Sequence, residues 1–350
     1  MIASLHLQQF RSYVDASFEF EPGVNVVVGP NTSGKTNLLE GILVVAQGIS
    51  YRTATDKLIH DKDPWARLES LNADNTTRVV TLKRQAEANP IKEFTIDDKK
   101  TKRLNFEQKI PVVLFEPNQL IAITTAPEKR RELLDELLGQ IDRNFSRVKR
   151  EYKKTLAQRN ALLKQGHATS STLFPWDIRL SETGGQIARA RLDLVDKLNQ
   201  SIATIYSSLA DEKHAVRLQY VSGNGIDNYT QTMLRRLQEA RARDEMIGYT
   251  TVGPHRDDLE IQIDQILLQQ GCSRGEIRTA LLALKICQAE LIQEALSRKP
   301  ILLLDDVFGE LDGSRRKALT KHLRSYQTVI TTTDADVIAK NYSHANHIAL

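Results

Sequence analysis

The chain moves between two hydrophobic periodicities. Residues Met1–Leu7 alternate apolar and polar, as a half-buried strand does; Phe10-Arg11-Ser12-Tyr13 interrupts, and Ala16–Phe20 reads as the hairpin partner. Pro22-Gly23 turns into Val24-Asn25-Val26-Val27-Val28, an apolar run typical of a buried strand, and Asn37 to Ala46 is amphipathic at the helical period. A polar connection, Tyr51–Thr55, precedes three short alternating runs, Ala66–Leu71, Arg78–Lys83 and Lys92–Ile96, which predict a meander covering one edge of the sheet. Val112–Phe115 is a further buried strand.

At Pro127 the period changes to that of helices. Pro127 suits the first helical position, and Leu133, Leu134, Leu137 and Leu138 form a stripe ending at Gly139. Asp142 to Gln165 predicts a long helix. After a loop from Gly166 to Pro175 comes a second, whose stripe is Leu194, Leu198, Ile202, Ile205 and Leu209. Two long helices joined by a short loop make an αα-hairpin. His214–Val221 returns to alternation and Tyr229–Arg243 predicts a last helix. The pattern predicts an α/β head split by an inserted helical arm, with residues 1–125 and 246–350 as the two parts of the head and 126–245 as the arm.

Candidate chemistry sits at the first buried strand. Gly29-Pro30-Asn31-Thr32-Ser33-Gly34-Lys35-Thr36 lies between the Val24–Val28 strand and the Asn37–Ala46 helix. Strand, G-x-x-x-x-G-K-[ST], helix is the setting of a phosphate-binding P-loop. Successive backbone N–H groups of such a loop point at phosphate oxygens on the positive end of a helix. Lys35 is expected on the β/γ-phosphates and the Thr36 hydroxyl on Mg²⁺, so the expected ligands are ATP and Mg²⁺.

Composition narrows the setting. The net charge of +4 permits an anionic partner without requiring one, and the 41% hydrophobic and 26% charged content is that of a globular chain with a proper core. Cys272 and Cys287 are spaced for neither a metal site nor a disulfide framework, and a cytoplasmic home with reduced thiols fits them. No apolar run approaches the ~20 residues of a membrane span, so no membrane partner is expected.

A second phosphate-handling motif closes the set. Pro300–Asp306 is an apolar strand ending in two acids; Asp305 is expected to hold Mg²⁺ and Asp306 to polarise the attacking water as general base. Gly309-Glu310-Leu311-Asp312 follows like the D-loop of ABC-type ATPases. Ser273-Arg274-Gly275, opening a helical run, supplies an S-x-G signature, although a helix-capping serine is the plainer reading.

These motifs, with Phe10–Tyr13, Asn37-Leu38-Leu39-Glu40, Tyr51-Arg52-Thr53, Val113–Phe115 with Pro117, Arg130–Asp135, Gly253–Leu259 and Thr331–Thr333, occur in an order that resembles the RecF family of DNA replication and repair proteins. That family lies in the SMC-like branch of the ABC-type ATPases. The resemblance covers nearly the whole length. It implies an ABC/SMC-like head, an ATP-dependent homodimer in which Ser273 and Gly275 of one copy reach the γ-phosphate held by the other, and binding to double-stranded and gapped DNA. It further implies slow, DNA-stimulated hydrolysis of ATP to ADP and phosphate, cooperation with RecO and RecR in loading RecA, and a place in the SOS response. Gln119 is the candidate Q-loop residue, and Thr331–Thr333 stands where transporter-type heads carry a histidine, so that a hydroxyl, with Thr333 as the candidate, would sense the γ-phosphate. Ile277 departs from the family, where a glutamine is usual, and Asn118-Gln119 stands where acids are common.

Outside the nucleotide motifs the candidates are weaker. Between Asp142 and Gln165 eight basic residues (Arg143, Arg147, Lys149, Arg150, Lys153, Lys154, Arg159 and Lys164) face two acids, which suits either phosphate contacts along a duplex or a solvated helix face. Arg130-Arg131 reads as a solvated helix turn, and Gly253-Pro254-His255-Arg256 as a structural turn with Arg256 as the one ligand-facing exception. Two other functions fit less well: the ATPase subunit of a membrane transporter, against which the helical arm, Asp305-Asp306 and the absent histidine argue, and a nucleotide-gated effector with another partner, for which no nuclease-type acidic cluster remains unassigned.

Overall fold

The structure is a computed structural model that describes every residue except 54, 62, 86–89, 167–168 and 334–344, and the side chain of Glu310. The chain divides into two compact units, Met1–Gln119 with Gln288–Leu350, and Leu120–Cys287.

The first unit holds two sheets. One is antiparallel, in the order β2-β1-β4-β5-β6-β7, built from β1 (Ile2–Phe10), β2 (Tyr13–Glu19), β4 (Trp65–Asn72), β5 (Thr77–Lys83), β6 (Ile91–Ile96) and β7 (Lys99–Thr101). The other is parallel, in the order β14-β3-β13-β12-β8, from β3 (Val24–Val28), β8 (Val112–Phe115), β12 (Ile301–Asp305), β13 (Thr328–Thr332) and β14 (Asn346–Ala349). The alternating runs therefore do not cover an edge of the parallel sheet. They extend the N-terminal hairpin into a separate sheet, because Leu7 pairs with Leu68 and Val80 with Phe94, burying one apolar face in common. Helix α1 (Lys35–Gln47) packs on both sheets, and its Leu38, Leu39, Ile42 and Val45 join Leu5, Leu7, Leu68, Leu82, Leu303 and Val329 in one core. The sheets are tied directly: Gln327 accepts from the Ile2 N–H at 2.9 Å and donates to the Ile2 carbonyl at 2.6 Å. Helix α11 (Gly313–Leu323) completes the unit, with Asp312 as its N-cap.

The second unit is mostly helical, with α2 (Asn118–Thr125) leading into it. It comprises α3 (Pro127–Ile141), α4 (Phe145–Lys164), α5 (Ser170–Asn199), α6 (Ile202–Ala210), α7 (Tyr229–Glu239) and α8 (Arg241–Ile247). A small antiparallel sheet, β11-β10-β9, joins them, from β9 (Val216–Val221), β10 (Asp258–Ile263) and β11 (Ile266–Leu267); α9 (Leu268–Gly271) and α10 (Arg274–Leu296) follow. The predicted loop to Pro175 is shorter than expected, because Thr169 and Thr172 form a capping box that starts α5 at Ser170 with Pro175 inside it. The apolar stripe from Leu194 to Leu209 runs on through two helices, α5 and α6, and all five of its residues are buried.

Two basic sites are interior rather than solvated. Arg130 is 4% exposed and grips Asp258 with both Nε (2.8 Å) and Nη2 (2.6 Å), while Arg131 donates to the Asp257 carbonyl at 2.7 Å. Arg159, fully buried, donates to Asp177 (2.7 Å), Asp244 (2.7 Å) and Thr250 (2.9 Å), joining α4 to α5 and α8. A guanidinium out of water needs such partners, and these lie far along the chain. The segment 246–287, which the hydrophobic pattern assigns to the head, lies in this second unit, since β10 pairs along β9 and Asp258 receives Arg130.

Candidate functional site

In the parallel sheet the C-terminal ends of β3, β12, β13 and β8 come into register, the place where open α/β sheets bind ligands. The P-loop leaves β3 there and enters α1. Gly34 sits at φ 105°, and a Cβ on it would lie 2.8 Å from the Tyr13 hydroxyl, so this step of the loop requires glycine. Tyr13 donates to the Gly34 carbonyl at 3.0 Å, and Asn37 donates to Ser12 Oγ at 2.9 Å. The Phe10–Tyr13 break between β1 and β2 thus braces the loop. Arg11 Nε donates to Glu40 Oε2 at 2.7 Å, and Ser50 donates to the other oxygen of Glu40, a carboxylate with no exposure at all.

Lys35 is 8% exposed, and its ammonium donates to the Gly29 and Pro30 carbonyls at 2.6 and 2.7 Å. The charge is held inside the loop where phosphate oxygens would replace those acceptors. Thr36 Oγ1 donates to Asp305 Oδ1 at 3.1 Å, and Thr331 Oγ1 donates to the same oxygen at 2.7 Å. Asp305 and Thr331 are direct neighbours across β12 and β13, which explains the second contact. Asp306 is exposed at φ 51°, its N–H held by Thr331 Oγ1 (3.0 Å) and Thr331 O (3.2 Å), and Thr333 is exposed at the end of β13. Gln119 lies at the start of α2 just past β8, the strand beside β12.

Three buried polar atoms line this region without a hydrogen-bond partner: Ser33 Oγ, the Tyr51 hydroxyl and Gln119 Oε1. Buried polar atoms are normally paired, so these three fit a place completed by a ligand, while others such as Ser70 Oγ and Arg78 Nε lie outside it. The donor set suits Mg²⁺ with a nucleotide: one carboxylate and one hydroxyl, all oxygen, the remaining ligands of such an ion being phosphate oxygens and water. Among the described residues no cluster of three or more His, Cys, Asp or Glu could hold a metal by itself.

Ser273 and Gly275 lie in the second unit. Ser273 N–H donates to Glu276 Oε2 at 2.7 Å and Ser273 Oγ accepts from Glu276 N–H at 3.3 Å, so the serine does cap α10; it is also exposed. Ile277 is half-buried. Of the basic residues on α4, Arg147, Arg150, Lys153, Lys154 and Lys164 are exposed, as is Arg143 just before the helix, and Lys149 pairs with buried Asp135 at 2.9 Å, which Arg191 also holds at 2.8 Å. Gly253–Arg256 is structural. Gly253 sits at φ 132° with a Cβ position 2.5 Å from the Tyr152 hydroxyl, and His255 is bonded to Tyr152 and Thr250. Arg256, exposed, stacks 5.2 Å from the Tyr249 ring centre. A separate cleft of about 360 Å³, lined among others by Gly185, Arg189, Leu192 and Tyr229, holds none of the predicted site residues.

Neither the bond of Thr331 to Asp305 nor the buried Tyr51 hydroxyl is signalled by the sequence. Thr331 stood inside a quoted motif, but only the sheet register shows that it, and not Thr333, reaches Asp305. No helix among the described residues is long and apolar enough to cross a membrane.

A P-loop leaving a parallel strand, an acid two strands away bound to the P-loop threonine, and a bracing second sheet define an ATPase head of the ABC/SMC type. The chain belongs to the RecF/RecN/SMC N terminal domain family, whose model matches residues 1–348. A DNA replication and repair protein RecF from Agathobacter rectalis is 31% identical over 346 residues, spanning 97% of this chain and 94% of the relative. A solved structure of the recombination mediator protein RecF-ATPrS in the RecFOR pathway superposes with a TM-score of 0.86 at 29% identity, covering 96% of this chain and 93% of that one. An Smc head bound to the C-winged helix domain of ScpA matches at TM-score 0.54 and 16% identity over 97% and 91% of the chains, a likeness of fold alone.

Proposed function

We propose that this chain is an ATP-dependent DNA-binding protein of recombinational repair and replication, in which ATP joins two copies and slow, DNA-stimulated hydrolysis releases them. The observation that carries the reading is the convergence of Thr36 and Thr331 on one oxygen of Asp305, beside a lysine poised inside its own loop. Thr36 and Asp305 would hold Mg²⁺, Lys35 and the N–H groups from Gly29 to Thr36 would bind the phosphates, and Gln119 and Thr333 would meet the γ-phosphate side. Mg²⁺, when bound, supplies charge neutralisation between the phosphates. Asp306 is the base for the attacking water. Ser273 and Gly275 of one copy would complete the site of the other, at the N-terminus of a long helix.

The relatives are named for DNA replication and repair, and one is solved as a recombination mediator of the RecFOR pathway, which supports DNA as the partner in a recombination-repair role; duplex and gapped DNA as the substrate, and RecO, RecR and RecA as the functional partners, are the further part of this reading. A cytoplasmic location follows from that role.

The test is light scattering with ATP. Asp306→Asn keeps the shape of the side chain but removes the base, and is expected to accumulate an ATP-bound dimer. Ser273→Arg puts bulk and charge into the contact between copies and is expected to bind ATP and stay monomeric. One mass throughout, with turnover unaffected by Ser273→Arg, would sink the dimer while leaving the P-loop assignment intact.

A further inference from the structure

The Tyr51 side chain packs against the core around α1, yet its hydroxyl is buried and has no hydrogen-bond partner. Such a group costs free energy unless something satisfies it. Two carboxylates whose charges reach Tyr51 already receive other donors. Glu40 spends one oxygen on Arg11 and the other on Ser50, the residue preceding Tyr51, and that contact fixes where the tyrosine ring emerges. Asp305 Oδ1 receives both Thr36 and Thr331. The ring is therefore placed by its neighbours, and its polar end is left over.

The surroundings of that end are negative. Burial first, then the charges of Asp305 and Glu116, raise the Tyr51 pKa well above the usual phenol value, so the group stays a neutral O–H able to donate and accept. Carboxylates on this side repel phosphate oxygens and favour what a divalent cation brings with it. Magnesium keeps several waters when it binds through one carboxylate and a hydroxyl.

We infer that Tyr51 is a positioning residue for the metal: its hydroxyl holds a water of the Mg²⁺ shell on the Asp305 side of the nucleotide site. The inference rests on the nucleotide reading above and goes beyond it, since none of the P-loop or Asp305 motifs requires a hydroxyl at this position. It explains why a buried phenol is left unpaired: its partner arrives with the metal.

The isosteric change Tyr51→Phe removes the hydroxyl alone. Three quantities are measured on the full chain and on Tyr51→Phe, with Lys35→Ala as the control: ATP affinity with Mg²⁺, ATP affinity in EDTA, and the melting temperature without nucleotide. Tyr51→Phe is expected to weaken the Mg²⁺-dependent gain in ATP affinity roughly three- to tenfold, the range of one hydrogen bond. Affinity in EDTA is expected to match the parent, and the nucleotide-free melting temperature to equal or exceed it, because an unpaired buried group has been removed. An unchanged Mg²⁺-dependent gain overturns the inference. So does a lower nucleotide-free melting temperature, which means the hydroxyl already had a structural partner. If Lys35→Ala binds ATP as the parent does, the nucleotide reading itself falls and takes the inference with it.

Discussion

His255 is bonded on both ring nitrogens. Nε2–H donates to the Thr250 carbonyl at 3.1 Å, so Nδ1 is the acceptor for the Tyr152 hydroxyl at 2.6 Å. A second proton on Nδ1 would oppose that hydroxyl in a place already short of water, and burial pushes the His255 pKa down from 6.5 to about 4. The folded value lies below the unfolded one. Both states are therefore neutral above 6.5, and between 6.5 and about 4 the unfolded chain takes up a proton that the folded chain refuses. Stability falls as pH drops through that window, by roughly 2 kcal/mol at pH 5. Denaturant unfolding at pH 7.5 and pH 5 should show His255→Gln losing about that much less than the parent over the interval, although it starts less stable. Equal losses would place the acid sensitivity elsewhere. Residues of this kind were hidden from the sequence for a physical reason. Lys35, Thr36 and Asp305 carry their meaning in a local motif, whereas the burial of Arg130 and Arg159 depends on Asp258, Asp177 and Asp244, which no periodicity links to them.

At the scale of elements, α4 shows how one basic helix divides its charges. Arg159 is spent inside the second unit, and Lys149 helps Arg191 balance buried Asp135. Arg150, Lys153 and Lys154 are among those that remain exposed and able to meet phosphates. Replacing these three by Gln should weaken DNA binding alike across sequences and lower the salt slope by up to roughly three units, with ATP affinity unchanged. A titration of DNA affinity against salt checks this, and an unaltered slope would return the helix to a solvated face. Changing Lys149 as well would mix a stability effect into the result. Most elements were legible, because strands such as Val24–Val28 and stripes such as Leu133–Leu138 follow their periods closely. Sheet membership was not. Alternation reports that Arg78–Lys83 is a strand with a buried face, but its partners, β4 and β6, are set by tertiary pairing. The capping box at Thr169 was readable only in part, since the helix it starts contains Pro175.

For the whole molecule, the proposed mechanism makes each nucleotide site belong to two copies, and that has a consequence no single-copy ATPase shares. Lys35→Ala removes the phosphate contact of its own loop but leaves Ser273 and Gly275 able to serve a partner. Ser273→Arg does the reverse: its loop binds ATP, and its signature cannot reach across. Each variant alone forms two defective sites and should show almost no ATP-dependent dimer or turnover. When the two are mixed, a heterodimer carries one site built from the sound loop of the Ser273→Arg copy and the sound signature of the Lys35→Ala copy. The other site is doubly defective. At equal concentrations, random pairing puts about half of all dimers in this mixed form with one working site of two. Turnover should therefore recover to roughly a quarter of the parent value under random pairing, and towards about half if the intact site makes mixed pairs the more stable ones. Hydrolysis measured against mixing ratio should rise to a maximum near equal amounts and vanish at both ends. A flat line at zero would mean that Ser273 acts within its own copy or not at all, and the composite site would have to be abandoned even if Lys35 were shown to bind ATP and Asp305 to bind Mg²⁺.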